Sequence, residues 1–147
     1  MELFDVMTQN PFWDGFAPAD LGIISRFAHL RSVPAGSPIF VAKMHGESGF
    51  FLAAGTIDFL LQRHGHEILL SSCESPSFFG TRRLVTPGPR RLTARARTNA
   101  VVAEVFHTGL VQLHSEDPNL YLRIVDRAHW WHAKHTEDFV ERFTAET

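Results

Sequence analysis

Phe78-Phe79-Gly80-Thr81-Arg82-Arg83-Leu84-Val85-Thr86-Pro87-Gly88-Pro89-Arg90-Arg91 interrupts a long series of short apolar runs, and the fold turns on how it is read. Residues 80–86, behind Phe78-Phe79-Gly80, predict a short helix with an open N-terminus. Pro87-Gly88-Pro89 closes it as a turn, because proline presets φ and glycine accepts conformations that other residues avoid.

On both sides of this interruption, over residues 32–106, the texture is that of short strands. Candidates are residues 39–41, 49–53, 56–61, 67–70, 91–97 and 100–106, separated by turn signals at Pro34-Ala35-Gly36, His45-Gly46, Ala54-Gly55 and His64-Gly65-His66. Such spacing predicts an all-β barrel, sandwich or jelly roll. Before it, residues 18–31 read as a helix: Pro18 suits the first turn, and Leu21, Ile24, Ala28 and Arg31 recur at spacings of three and four. Asn10-Pro11-Phe12-Trp13 reads as an ordered lead-in that packs aromatics. After the strands, residues 107–115 predict a short helix and, past Asp117-Pro118, residues 119–143 a long one without Gly or Pro. The expected fold is mainly β with flanking α. It is a β-roll or jelly-roll barrel over 32–106, with an N-terminal helix over 18–31, a short cassette helix and C-terminal helices over 107–143, in one domain spanning 1–147.

Charge is concentrated. The 147 residues carry 14 Lys+Arg against 16 Asp+Glu, a formal charge of −2, yet 12 of the cations are Arg and six of these lie between Arg82 and Arg97. Residues 75–103 contain no Asp or Glu, so that window is +6. Packed like charges repel, so the cluster costs stability unless an anion or a carboxylate offsets it. One reading is a solvated basic face, or Arg stems laid over apolar surface. The sharper reading is an anion site, because a planar guanidinium grips phosphate or carboxylate at two points. Nucleic acid fits poorly, since the total charge is negative and Phe78 and Phe79 are the window's only aromatics. The lone Cys73 excludes a disulfide framework and a Cys-rich zinc site. The longest apolar run is residues 50–54, so no membrane span is expected. Glu2 and Asp5 stand where a signal peptide carries cations, and a cytoplasmic location is expected.

Ala35-Gly36, Ile39-Phe40, Gly46, Gly55, Phe79-Gly80 and Pro89-Arg90, at this order and spacing, resemble the cyclic nucleotide-binding domain. That domain is the sensor half of regulators related to the catabolite activator protein. The resemblance runs without a gap over residues 35–93 and puts Pro118 at the start of the family's long helix. It implies a phosphate-binding cassette whose short helix presents backbone N–H groups, here those of Gly80, Thr81, Arg82, Arg83 and Leu84, to a cyclic phosphate. In the family an Arg pairs with that phosphate and a Glu takes the ribose 2′-hydroxyl. Arg90 keeps the first role, with Arg83 and Arg91 as secondary cations. Thr81 stands where the Glu belongs, Arg83 where a small residue is usual, and Arg91 where a small hydroxyl residue usually follows the Arg. Losing the carboxylate removes a hydrogen bond worth about 1.5–3 kcal/mol, roughly one to two decades of affinity. It also leaves the pocket more cationic.

The implied partner is therefore a small anionic ligand, a cyclic nucleotide or another phosphate-bearing molecule. Counted from Arg90, the family's base-contacting positions fall at His135 and Thr136. The long helix implies a homodimer through residues 119–143, with Tyr121, Val125, Ala128 and Phe139 on the seam; alternatively, Trp130, Trp131 and Phe139 bury that helix on its own barrel. The family's transcription factors continue into a helix-turn-helix, whereas this chain stops at Thr147. Direct DNA binding is accordingly not expected, and a separate protein effector is.

Two further readings compete. One is a ligand-free dimerisation or docking module with a vestigial pocket. The other is a metal-dependent, cupin-like enzyme using His64 and His66, although these flank a Gly and read as a hairpin tip facing water. His129, His132 and His135 stand at spacings of three, so two could share a helical face and a two-fold seam could double them. No residue stands out as an axial haem ligand. Cys73 beside Ser71-Ser72 has no evident base and reads as a buried apolar residue. Neither catalytic nor metal-binding residues nor a cofactor are expected, and no enzyme motif is present.

Overall fold

The structure is a computed structural model and describes residues 2–134. The chain opens with α1 (Leu3–Thr8), a 3-10 turn (Pro11–Trp13) and α2 (Pro18–Ser25). The described strands are β1 (Ala28–Val33), β2 (Pro38–Phe40), β3 (His45–Gly46), β4 (Ser48–Ala54), β5 (Thr56–Arg63), β6 (His66–Glu74), β7 (Ser77–Phe79), β8 (Gly88–Pro89), β9 (Thr93–Ala96) and β10 (Ala100–Phe106). Between β7 and β8 lies α3 (Thr81–Val85); α4 (His107–Glu116) and α5 (Pro118–Lys134) follow β10. Two antiparallel four-stranded sheets, ordered β1-β10-β4-β7 and β2-β9-β5-β6, face each other, and β3 pairs with β8 at one end.

Mainly β with flanking helices is what the residues predict, but the barrel is corrected to an open sandwich. Among the described residues no ladder joins β1 to β2 or β7 to β6, so both sheets keep their edges. The chain changes sheets at turns instead of carrying a ladder across. One such crossing, from β4 to β5, needs Gly55: its φ is +100°, and a Cβ there would lie 2.6 Å from the Asn99 carbonyl oxygen.

The apolar run Gly49-Phe50-Phe51-Leu52 lacks alternation because β4 is covered on both faces. Phe50 and Leu52 face the second sheet among Ile57, Phe59 and Val102, while Phe51 faces the helices with Phe12, Leu110 and Ile124. β7 mirrors this arrangement. Phe79 stacks on Phe50 at 5.4 Å and Phe78 on Phe51 at 4.0 Å between ring centroids.

The expected helix over 18–31 ends at Ser25. The N–H groups of Arg26 and Phe27 bond back only three residues, to Ile23 and Ile24, at 3.2 and 2.9 Å. Ala28 then starts β1, which pairs with β10 from Ala28 opposite Val105 to Val33 opposite Ala100. The helical spacing of Ala28 and Arg31 loses to this ladder, since propensity is weak over so short a segment. No periodicity announces α1, which buries Val6 and Met7. The strand expected at 91–97 begins at Thr93, because Arg91 and Leu92 finish the cassette.

α5 buries Leu120, Ile124, Ala128 and Trp131 on one face. Ala128, expected on a dimer seam, is thus a core residue. The two tryptophans divide: the buried Trp131 donates its indole N–H to the Phe78 carbonyl at 3.0 Å, whereas Trp130 is 53% exposed. Phe139 lies outside the described residues. No described helix is long and apolar enough to cross a membrane.

Part of the +6 window is neutralised across the second sheet. Arg95 grips Glu67 at two points, 2.9 and 2.7 Å, and Arg97 reaches Asp58 at 2.6 Å. The hydrogen bond from Arg95 holds the Glu67 carboxyl below its ordinary range. A carboxyl lowered on folding stabilises the native state above its unfolded pKa, and that contribution is lost as pH falls through the lower folded value. Melting temperature should therefore drop between about pH 5 and pH 3. In Glu67→Gln the acid drop should shrink, which melting curves across that range check.

Candidate functional site

The cassette leaves the core at Phe79 and turns at Gly80, whose backbone is left-handed at φ 74°, ψ 22°. A side chain there would be strained, and its Cβ would lie 3.0 Å from Arg90 Nη1 and 3.3 Å from the Phe50 ring. α3 follows, and the chain returns through Pro87 to β8, where Gly88 pairs with Gly46 and Pro89 with His45. Arg90 comes next, with its backbone fixed on both sides. Its N–H donates to the Met44 carbonyl at 2.8 Å, and its carbonyl accepts from Lys43 N–H at 2.7 Å.

The Arg90 side chain turns inward and is only 6% exposed. Nη2 donates to the Ser48 carbonyl at 2.9 Å and to Ser48 Oγ at 3.2 Å. The guanidinium carbon lies 4.2 Å from the centroid of the Phe40 ring and 5.5 Å from that of Phe50. Its charge is answered at one remove, because Ser48 Oγ donates to Glu104 Oε2 at 2.7 Å and Glu104 Oε1 pairs with Arg31 at 3.3 Å. Gly46 is the counterpart of this insertion. A Cβ on it would overlap Arg90 Nε and come within 2.6 Å of Cζ. Burying a guanidinium is costly without such partners, so the surroundings are built for it.

Arg83 lies along the cassette's own backbone, Nε donating to the Pro89 carbonyl at 3.0 Å and Nη1 to that of Thr86 at 3.2 Å. It clasps the loop shut, and Gly88 leaves room for it, since a Cβ there would sit 3.0 Å from Nη1. Arg82 and Arg91 are exposed. Gly80, Arg82, Arg83, Arg90 and Arg91 line one narrow cleft together with Phe40, Phe59 and Leu92. Its free space is about 10 Å³, roughly one water molecule. A larger guest enters only by displacing the outer arginines. Thr81 and Leu84, although in the same helix, point elsewhere. The Thr81 hydroxyl is 3.0 Å from His132 Nδ1 on α5, and Leu84 is buried in the core. The Leu84 carbonyl lies 2.9 Å from His107 Nδ1, and a carbonyl only accepts, so that nitrogen carries the proton. His135 and Thr136 lie outside the described residues.

Sequence reasoning did not find Ser48 or Glu104; it read Phe40 only as part of the opening strand and His132 only as a candidate metal ligand. One signal was present for Glu104: along β10 it occupies the same face as Ala100 and Val102, where a charge is out of place. Gly46 reads as a turn glycine, but its role is to admit Arg90. His64 and His66 are exposed at a hairpin tip, with positive φ at His64 (54°) and Gly65 (77°). Among the described residues no three potential metal ligands come together.

A β-sandwich carrying a glycine-opened cassette around a buried arginine defines a class of ligand-binding domain. The cyclic nucleotide-binding domain profile matches residues 30–117, more than half of the chain, and this chain belongs to that family. Solved structures share the fold at low identity. The N-terminal domain of a Streptomyces coelicolor A3(2) transcriptional regulator is 20% identical, covering 92% of this chain and 95% of that one, with TM-score 0.76. A cyclic nucleotide-binding domain from Methylobacillus flagellatus KT is 12% identical over 99% and 82%, with TM-score 0.81. The regulatory domain of Toxoplasma gondii PKA, co-crystallised with cAMP, is 14% identical over 88% and 49%, with TM-score 0.71. No curated protein sequence matches the chain significantly.

Proposed function

We propose that this chain is a non-catalytic sensor domain that takes a small phosphate-bearing ligand between the cassette and the sandwich, with Arg90 as the phosphate partner. The carrying observation is the buried guanidinium of Arg90, held by Ser48, Phe40 and Phe50 in a slot that Gly46 and Gly80 keep open. A fixed, buried cation binds an anion more strongly than one free in water. Family membership makes a cyclic nucleotide the first candidate. Thr81 stands where the family has its carboxylate, and its hydroxyl is engaged with His132, so binding should lean on phosphate. Arg82, Arg83 and Arg91 supply further positive charge, which favours a ligand with more than one negative charge.

Thermal melts with cyclic AMP, cyclic GMP, inorganic phosphate and sulfate test this, because a ligand bound to the native state raises apparent stability. At least one phosphate-bearing compound should raise the melting temperature of the wild type and of a surface control, Arg26→Gln, whose side chain is exposed away from the cassette, but not that of Arg90→Gln. No shift with any of them would favour the ligand-free docking module.

The same reading pairs two copies along α5, leaving a separate protein effector to receive the signal. Leu122 is 55% exposed on the side away from Leu120, Ile124 and Ala128. Leu122→Asp should convert a dimer to a monomer by sedimentation with the melt nearly unchanged; a wild-type monomer at tens of micromolar would remove this element.

A further inference from the structure

The inner face of a sandwich sheet is ordinarily apolar. Here the face formed by Val33, Phe50, Leu52 and Val102 turns polar at one end, where Ser48 and Glu104 replace apolar residues. The short β2 does not cover that end. Between it and the residues following β2 lies an open hollow of about 330 Å³, whose lining includes Val41 and Arg90. Its walls include Phe40, Phe50 and Phe106; its polar groups are the Ser48–Glu104 hydrogen bond and the Arg90 guanidinium, with the His45–Glu47 pair also on the lining. An apolar hollow of this size with a few convergent polar groups has the composition of a small-molecule site.

The geometry points to a second binding site in this cavity, for a small, uncharged aromatic molecule carrying one hydroxyl or N–H donor. Charge gives an ion of either sign no clear preference, because Arg90 and the carboxylates of Glu104 and Glu47 all line the hollow. Aromatic walls suit a flat ring, which packs against them edge-on or offset. Each Glu104 oxygen accepts one hydrogen bond, from Arg31 or Ser48, and carries a second lone pair that a ligand donor can use. The site lies on the Ser48 side of Arg90 and does not depend on which anion the cassette takes.

4-Methylphenol and its O-methyl analogue 4-methylanisole, titrated into the whole chain by calorimetry and methyl NMR, test it. The phenol should saturate one site with a Kd at or below about 1 mM. Signals of Ile39 and Val41 should shift, and the analogue, unable to donate, should bind about tenfold more weakly. Val41→Trp, which enlarges a lining residue that is 37% exposed, should weaken the phenol at least about tenfold. Non-saturable binding, equal affinity for the two compounds, or shifts centred away from Ile39 and Val41 would overturn the assignment. Should the tryptophan variant fail to fold, the analogue comparison and the NMR map decide it alone.

Discussion

Gly46→Ala is expected to cost about 2–3 kcal/mol and to abolish the ligand-dependent rise in melting temperature, although it adds only one methyl group. The methyl would overlap Arg90 Nε and crowd Cζ and Cδ, at 2.6 and 2.8 Å. Backbone on both sides fixes residue 90 through Met44 and Lys43, so the side chain must leave instead. Leaving forfeits two hydrogen bonds to Ser48 and the contacts with Phe40 and Phe50. Chemical denaturation measures the stability loss, and melts with phosphate-bearing compounds measure the functional one. A variant that keeps its full ligand-dependent shift would show that Arg90 does not need its present position.

Phe12→Ala should be the most damaging truncation, at about 3–5 kcal/mol, or roughly 10 °C in melting temperature. Phe12 is fully buried where four rings meet: Phe78 at 4.5 Å, Trp13 at 4.7 Å, Phe51 at 5.3 Å and Trp131 at 5.6 Å. Asn10 pins the turn that carries it, accepting from Phe12 N–H at 3.0 Å and donating to the Ser77 carbonyl at 2.8 Å. Because Ser77 belongs to β7, the strand that leads into the cassette, loosening here should also weaken ligand binding. Urea unfolding with an unchanged m-value would read the loss as stability alone. A cost below about 1 kcal/mol would mean that the neighbouring rings collapse into the space.

Local chemistry is what the sequence displayed best. Gly80 and Pro87-Gly88-Pro89 bracket a helix of the expected size, and the turn glycines separate strands close to where they lie. Asn10-Pro11-Phe12-Trp13 packs aromatics as its composition suggests. Features set by distant pairing were hidden. Residues 28–31 look helical until β10 is beside them, and the sheets look like a barrel until their edges are traced. Within the cassette, residue identity named the arginines but not their directions. Arg90 goes inward because Gly46, 44 residues away, makes room. Arg83 folds onto Thr86 and Pro89, and Thr81 turns toward His132. The partners of Arg90 and Thr81, 44 and 51 residues away, leave no mark on spacing.

Diffraction from crystals grown with cyclic AMP or cyclic GMP tests the central claim most directly. The expected density puts the phosphate within about 3 Å of the Arg90 guanidinium, with Arg83 displaced from the Thr86 and Pro89 carbonyls. A nucleotide bound away from Arg90, or a cassette cleft unchanged at saturating ligand while Arg90 keeps only its Ser48 contacts, would contradict it.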